Sequence, residues 1–441
     1  MKKPSPLKHL VPVALALAVL AVIAARASGP LVVGGPGMAE GAPFIWGPSD
    51  SNPLTYWTDQ GSLGWMDNTA ANTLVQQAFQ AWQDVPTATI NFSKSGPLGA
   101  DVTASNIMAV EEALYTCSTL PGDPAGGIAK PRTIVYDTDG SILQALGEDP
   151  SSVLGFATAL CFTTDGTNNN FNRGLALING KFVTALPSST TLVKAVMIHE
   201  FGHMIGLDHS QINLDCLTGT CSPAELDGLP TMFPVLLDGA EEAMSTLATD
   251  DIAAISALYP ESTFPTSTGR ITGRVLFSDG QTPAQGFNVI ARRVGDPLVT
   301  AVSSVSGYRL TADAGNPIYP WPGSDFGSRD PALIGYYVLP GLPPGDYTVE
   351  VEAIHNSEPI PFVDGSSVGP IGNLGFQFPL PSLLPTPPPC TPEYLVSGAT
   401  ATFSSAAATT LTVGAGSVVS AGTDVILIAT PPPYDAWEDG P

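Results

Sequence analysis

The stretch His199-Glu200-Phe201-Gly202-His203-Met204-Ile205-Gly206-Leu207-Asp208-His209-Ser210 decides how the chain is read. His199 and His203 stand four apart, so a helix projects both imidazoles from one face. Two neutral imidazoles on a rigid helix can hold Zn²⁺ at about 2.0–2.1 Å per bond. Glu200, next to the first of them, can lean over the metal and handle the proton of a water. Gly206 lets the chain leave the helix with positive φ, and that turn swings His209 back as a third ligand. Three protein ligands leave a fourth position for water, the pattern of a catalytic rather than a structural site. The chain has five histidines and three fall in this one pattern, which chance core or surface histidines explain poorly.

Working outward, Leu192 to Met204 is apolar nearly all round, as a buried central helix should be. Upstream, Leu54 to Thr58 reads as a strand. Thr69 to Trp82 reads as an amphipathic helix, with Leu74, Ala78, Phe79 and Trp82 at helical spacing. Further strands are expected at Thr87–Phe92, Ile107–Val110, Thr133–Tyr136, Val153–Leu160 and Gly174–Ile178. These elements predict an α+β domain over 51–261, a twisted mixed sheet with long helices. A Gly/Pro-rich, irregular segment at 28–50 precedes it. After Pro260 the composition shifts to Ser, Thr and Pro, so 262–268 reads as a linker. An all-β domain over 269–356 follows, bracketed by Ile271–Phe277 and Gly341–Val351, with Ala312–Pro331 as an inserted loop. Residues 357–441 read as a Pro/Gly-rich β extension ending in an acidic tail.

The motif resembles that of the metzincin metallopeptidases, HExxHxxGxxH followed by a Met-turn, and within them the matrixin branch, relatives of the matrix metalloproteinases. Ser210 after the third histidine is similar to matrixins, where adamalysins carry Asp. Pro230-Thr231-Met232-Phe233-Pro234 resembles the matrixin Met-turn, which implies that Met232 forms an apolar floor beneath the zinc. Astacins and serralysins carry a metal-binding Tyr two residues after that Met; here Pro234 stands there. Asp250 to Tyr259 resembles the closing matrixin helix, and Leu54-Thr55-Tyr56 followed by a helix ending near Trp82 is similar to the matrixin opening. The resemblance implies a metzincin-type fold for the first domain and a zinc endopeptidase with His199, His203 and His209 as ligands and Glu200 as general base. Animal matrixins often cap the zinc with a propeptide cysteine; no cysteine precedes Cys117, so that device is not expected. The second domain resembles carboxypeptidase-regulatory-like, prealbumin-like β-sandwiches through Gly341-Leu342-Pro343-Pro344-Gly345-Asp346-Tyr347-Thr348-Val349-Glu350-Val351, a likeness that speaks to fold and not to function.

Met1 to Ala27 has the build of a secretory signal: Lys2, Lys3 and Lys8, an apolar run from Leu10 to Ala24, and Ala25-Arg26-Ala27 as cleavage site. The run is short for a spanning helix, and no later stretch is long and apolar enough. A secreted protein without a membrane span is therefore expected, taken as a monomer. The signal holds four of the sixteen basic residues and none of the forty acidic ones. So acidic a chain repels nucleic acid and anionic membranes, and neither is an expected partner; the resemblance implies a peptide or protein substrate. In an oxidising compartment Cys216–Cys221 is the expected disulfide and Cys117–Cys161 a second, with Cys390 left over. Asp137-Thr138-Asp139-Gly140 offers carboxylates that suit a calcium ion through Asp137 and Asp139, with a solvated turn as the competing reading. The remaining histidines, His9 and His355, lie too far off for a second histidine-built zinc. The rival to a peptidase is a non-catalytic surface or adhesion protein that keeps zinc as a structural centre.

Overall fold

A computed structural model describes residues 29–47, 52–115, 128–185, 189–218, 221–308, 327–353 and 391–430. The expected signal peptide, the Cys117 half of the second disulfide, Cys390, most of the expected inserted loop and the acidic tail lie outside these residues. The chain is mixed α and β, with a five-stranded sheet in the first part and a large curled sheet in the second. Among the described residues no helix is long and apolar enough to cross a membrane.

The first part contains β1 (Phe44–Trp46), β2 (Leu54–Thr58), β3 (Phe92–Pro97), β4 (Arg132–Asp137), β5 (Gly155–Leu160), β6 (Thr163–Thr164), β7 (Asn169–Phe171) and β8 (Arg173–Asn179). Five of these make one sheet in the order β3-β2-β4-β8-β5, parallel except for β5, which runs antiparallel along β8 at the edge. The period-2 alternation of strands divides its side chains between two cores. Ile134, Tyr136, Ala176 and Ile178 face the side that holds the central helix, Thr190–Met204. Val135, Leu175 and Leu177 face the side that holds the helix Ile107–Tyr115. Both faces being covered, β4 is buried along its whole length.

The central helix is as apolar as its burial requires. Val193, Met197, Ile198, Phe201 and Met204 are buried against the helix Asn68–Gln83 and the sheet, and Phe201 stacks on Phe79 at a ring separation of 4.1 Å. Carbonyls in its C-terminal half and at its exit also accept side-chain donors from other elements. Trp82 Nε1 donates to Ile198 O at 2.9 Å, Trp46 Nε1 to Met204 O at 2.9 Å, and the Tyr259 hydroxyl to Ile205 O at 2.7 Å. The amide of Leu207 closes the turn on Gly202 O at 2.9 Å.

Two expected strands are corrected. Thr87–Asn91 is not strand; the strand is β3, Phe92–Pro97, which begins where the expected one ended. The β-branched run 87–91 bonds instead to the end of the helix Thr249–Leu258, with the Thr89 amide on Tyr259 O and the Glu261 amide on Thr87 O. Pairing with β2 starts only at Leu54–Phe92. Ile107–Val110 is helical, the start of Ile107–Tyr115. Its buried Ile107, Val110, Ala113 and Leu114 recur at three- and four-residue intervals, a helical period that four residues are too few to display. The segment at 28–50 contains β1 and is pinned by the bridges Pro30–Leu207 and Val33–Pro43.

The second part contains β9 (Gly269–Leu276), β10 (Phe287–Arg293), β11 (Ala301–Val305), β12 (Tyr336–Leu342), β13 (Gly345–Ala353), β14 (Glu393–Val396), β15 (Ala399–Thr402), β16 (Leu411–Val413), β17 (Val418–Val419) and β18 (Val425–Ile426). They form one curled sheet ordered β11-β10-β13-β14-β15-β18-β9-β12, with β16 on β13 and β17 on β9. Strands from 391–430 thus lie between β13 and β9. Residues 264–267 form a short helical turn, and Ala253 of the helix Thr249–Leu258 packs into the core of the curled sheet.

Gly206 has φ 98°, and a Cβ there would stand 2.9 Å from the Phe171 ring. Gly206→Ala should therefore destabilise the chain by more than the roughly 1–2 kcal/mol of a left-handed residue alone. Thermal denaturation checks this; a melting temperature equal to that of the parent would show that the turn relaxes without strain.

Candidate metal centre and cleft

The three histidines meet as their spacing requires. His199 and His203 come from the last turns of the central helix, and His209 returns after the Gly206 turn. Their Nε2 atoms form a triangle with sides of 3.0, 3.0 and 3.1 Å. His199 Nδ1 lies 2.8 Å from Thr231 O, and His203 Nδ1 lies 2.9 Å from Leu207 O. A backbone carbonyl only accepts, so in both rings Nδ1 carries the proton and Nε2 presents a lone pair. Burial keeps both rings neutral, holding His199 down to about 4 and His203 down to about 3, the latter also through repulsion from His199. Lone pairs converging at about 3 Å repel unless a cation lies between them. The triangle therefore fits a metal ion, and it is the one group of three or more His, Cys, Asp or Glu side chains among the described residues that could hold one.

Met232 packs against this helix. A Cβ on Gly202 would run into the Met232 sulfur, so the missing side chain makes room for the methionine. The turn is fixed from behind by Asp251, which is fully buried. Its carboxylate accepts the amides of Thr231 (2.9 Å), Met232 (3.0 Å) and Ala248 (2.8 Å). Burial, with the Asp250 carboxylate beside it, pushes Asp251 up to about 7 against the pull of those amides. Because Thr231 also offers its carbonyl to His199, Asp251 holds the turn that orients the first ligand. Asp251 was not singled out by sequence; only its place beside Asp250 at the head of an apolar helix hinted at a buried role.

Glu200 is buried, with desolvation pushing it up to about 8, and nothing among the described residues pairs with it. It faces Gly155 on β5, where a Cβ would stand 3.2 Å from Glu200 Cγ and 2.9 Å from Leu177 O. A cleft of about 500 Å³ opens here, lined by Glu200, the three histidines, β5 residues Gly155 to Thr158, and Phe233 to Leu236 beyond the methionine turn. The strand expected at Val153–Leu160 is Gly155–Leu160, and it lies at the edge of the sheet, bordering the cleft.

Asp137 and Asp139 do not join a metal-binding group among the described residues. Asp137 accepts the amides of Gly140 (3.0 Å), Ile142 (3.1 Å) and Leu143 (2.9 Å), capping the helix Ser141–Leu146, and Asp139 accepts the amide of Ser141 at 3.0 Å. The Cys216–Cys221 disulfide forms in the loop after the motif. No family model matches this sequence, and no curated protein matches it.

Zinc should raise the melting temperature of the full chain, since a ligand at a thousandfold excess over its Kd adds about 4 kcal/mol. A chelator should reverse the rise, and His209→Ala should abolish most of it. Differential scanning calorimetry with and without zinc decides; a zinc-indifferent parent chain would refute the metal centre.

Proposed function

We propose that the chain is a secreted zinc-dependent endopeptidase of the metzincin type, closest in its local motifs to the matrixins. The observation that carries this is the triangle of Nε2 lone pairs set beside a buried, unpaired carboxylate at the floor of a cleft. Ser210, Met232 and the Asp250–Tyr259 helix support the matrixin branch. The signal-like residues 1–27 and the Cys216–Cys221 disulfide support export.

Zinc held by the three imidazoles supplies Lewis acidity, acidifying water and polarising a peptide carbonyl. The protein does the rest. Glu200, made basic by burial, takes the proton of the attacking water and hands it to the leaving amine. Hydrogen bonds from Nδ1 to Thr231 O and Leu207 O fix the tautomers, so the ligand nitrogens stay aimed. The free edge of β5 accepts an extended peptide as an added strand and lays its backbone across the cleft.

Glu200 also argues against the rival reading, a zinc-stabilised adhesion protein. Burying an unpaired carboxylate costs stability, and a purely structural centre gains nothing from it. Glu200→Gln should bind zinc as the parent does while losing peptide hydrolysis by roughly two to four orders of magnitude, the range of general-base contributions. Zinc titration and cleavage of a peptide library by the purified protein measure both. Cleavage at the parental rate would remove Glu200 as base; no cleavage by the zinc-loaded parent would favour the rival.

A further inference from the structure

Two of the three histidines ride on a helix, whereas His209 sits in the segment after it, held on the near side by the Asp208 amide on Gly29 O (3.0 Å) and the Ser210 amide on Met232 O (2.6 Å). That segment runs straight onto the curled sheet. Ser210, beside the ligand, donates through its hydroxyl to Asp250 Oδ2 at 2.6 Å, while Asp250 Oδ1 accepts the amide of Ser303 on β11 at 2.7 Å. The Ser303 hydroxyl donates to the same Asp250 carboxylate at 3.2 Å. Gln211 O accepts from Asn288 Nδ2 of β10 at 2.9 Å, and Asn213 Oδ1 accepts from Arg292 Nη1 of β10 at 3.0 Å. Between these polar ties, Ile212 packs on Ile290 and Ala301 in a small apolar cluster of its own.

Apart from the half-buried Arg292, these groups are out of water. Ser210 and Asn288 are 0 % exposed, Gln211 and Asp250 1 %. Hydrogen bonds so buried are costly to leave unmade, so they fix one arrangement of the backbone they hold. Asn213 is held in the left-handed region at φ 58°, which the Arg292 contact helps secure. Four consecutive residues after the ligand are thus moored to β10 and β11, within one to four residues of His209.

We infer that Asn288 and Ser303 of the curled sheet are positioning residues for His209, so that the second part of the chain completes the metal centre instead of serving as a separable appendage. This rests on the metal-centre reading above. Partners that orient a ligand from behind typically change metal affinity by roughly 10- to 100-fold when removed. The effect should pass through His209 and through no other route.

The experiment is a set of zinc affinities on the full chain, measured by competition with a chromophoric chelator, with cobalt(II) absorption spectra of the same proteins. Asn288→Ala and Ser303→Ala should each weaken zinc by about tenfold or more and alter the cobalt spectrum. In a His209→Ala background neither should weaken zinc further, because the ligand they position is already gone. Tyr337→Phe is the control. It removes a buried hydrogen bond inside the same sheet, to Thr423 O, without touching 210–213, and should leave affinity at the parental value. Unchanged affinity in both test variants would overturn the inference. So would equal losses in Tyr337→Phe, or a full further loss on top of His209→Ala. If one test variant fails to fold, the other decides. A parent chain that binds no zinc would instead overturn the metal centre itself, a separate result.

Discussion

Two backbone carbonyls, Thr231 O and Leu207 O, set the chemistry of the centre by taking the Nδ1 protons of His199 and His203. Once those protons are committed, the opposite nitrogens can only present lone pairs, and His209 adds a third ring nitrogen to the same point. The Thr231 carbonyl is held by a turn whose amides rest on Asp251. The Leu207 carbonyl is placed by the tight exit at Gly206. The first part of the fold can be seen as what keeps these two oxygens still: Trp46, Trp82 and Tyr259 tie off the end of the helix, and Phe79 stacks against Phe201 behind it.

Much of this could be read in the sequence because it depends on short-range order. The histidine spacing, the glycine exit, the all-round apolar helix and the strands at β2, β4, β5 and β8 all carry local periodicity. The Phe92–Pro97 strand lacks it: Phe-Ser-Lys-Ser-Gly-Pro is strand only because β2 lies beside it. The Ile107–Tyr115 helix shows its period only when read past Val110. Asp137 has the composition of a cation ligand, yet three backbone amides occupy its carboxylate, a use that composition cannot distinguish from a metal. The role of Asp251 depends on Thr231 and Met232, about twenty residues away, and no local pattern reveals such a pairing.

The two parts of the chain meet through polar groups as well as apolar ones. Asn288, Arg292 and Ser303 reach across to the segment 210–213, Asp250 of the closing helix bonds to both Ser210 and Ser303, and Ala253 of the same helix belongs to the core of the curled sheet. Buried hydrogen bonds add less net stability than their number suggests, but they discriminate sharply between one docking geometry and its neighbours. A composition change at 262–268 marks where the chain passes from one part to the next and carries no information about how they adhere.

The order of strands in the curled sheet bears on when the molecule becomes whole. β14, β15 and β18, drawn from 391–430, lie between β13 and β9, so that one edge of β9 pairs with β12 while the other waits for partners some 150 residues further along the chain. Such distant pairings bear a large loop-closure entropy before they return any contact energy, and they form late. A nascent chain can build its helices and five-stranded sheet while the curled sheet is still open. β10 and β11, which moor the segment beside His209, pair with each other and with β13, so the third imidazole can be set once residues through Ala353 have joined. In assembly order the histidine segment is then set by the strands of 287–353, and the curled sheet is completed afterwards by those of 391–430.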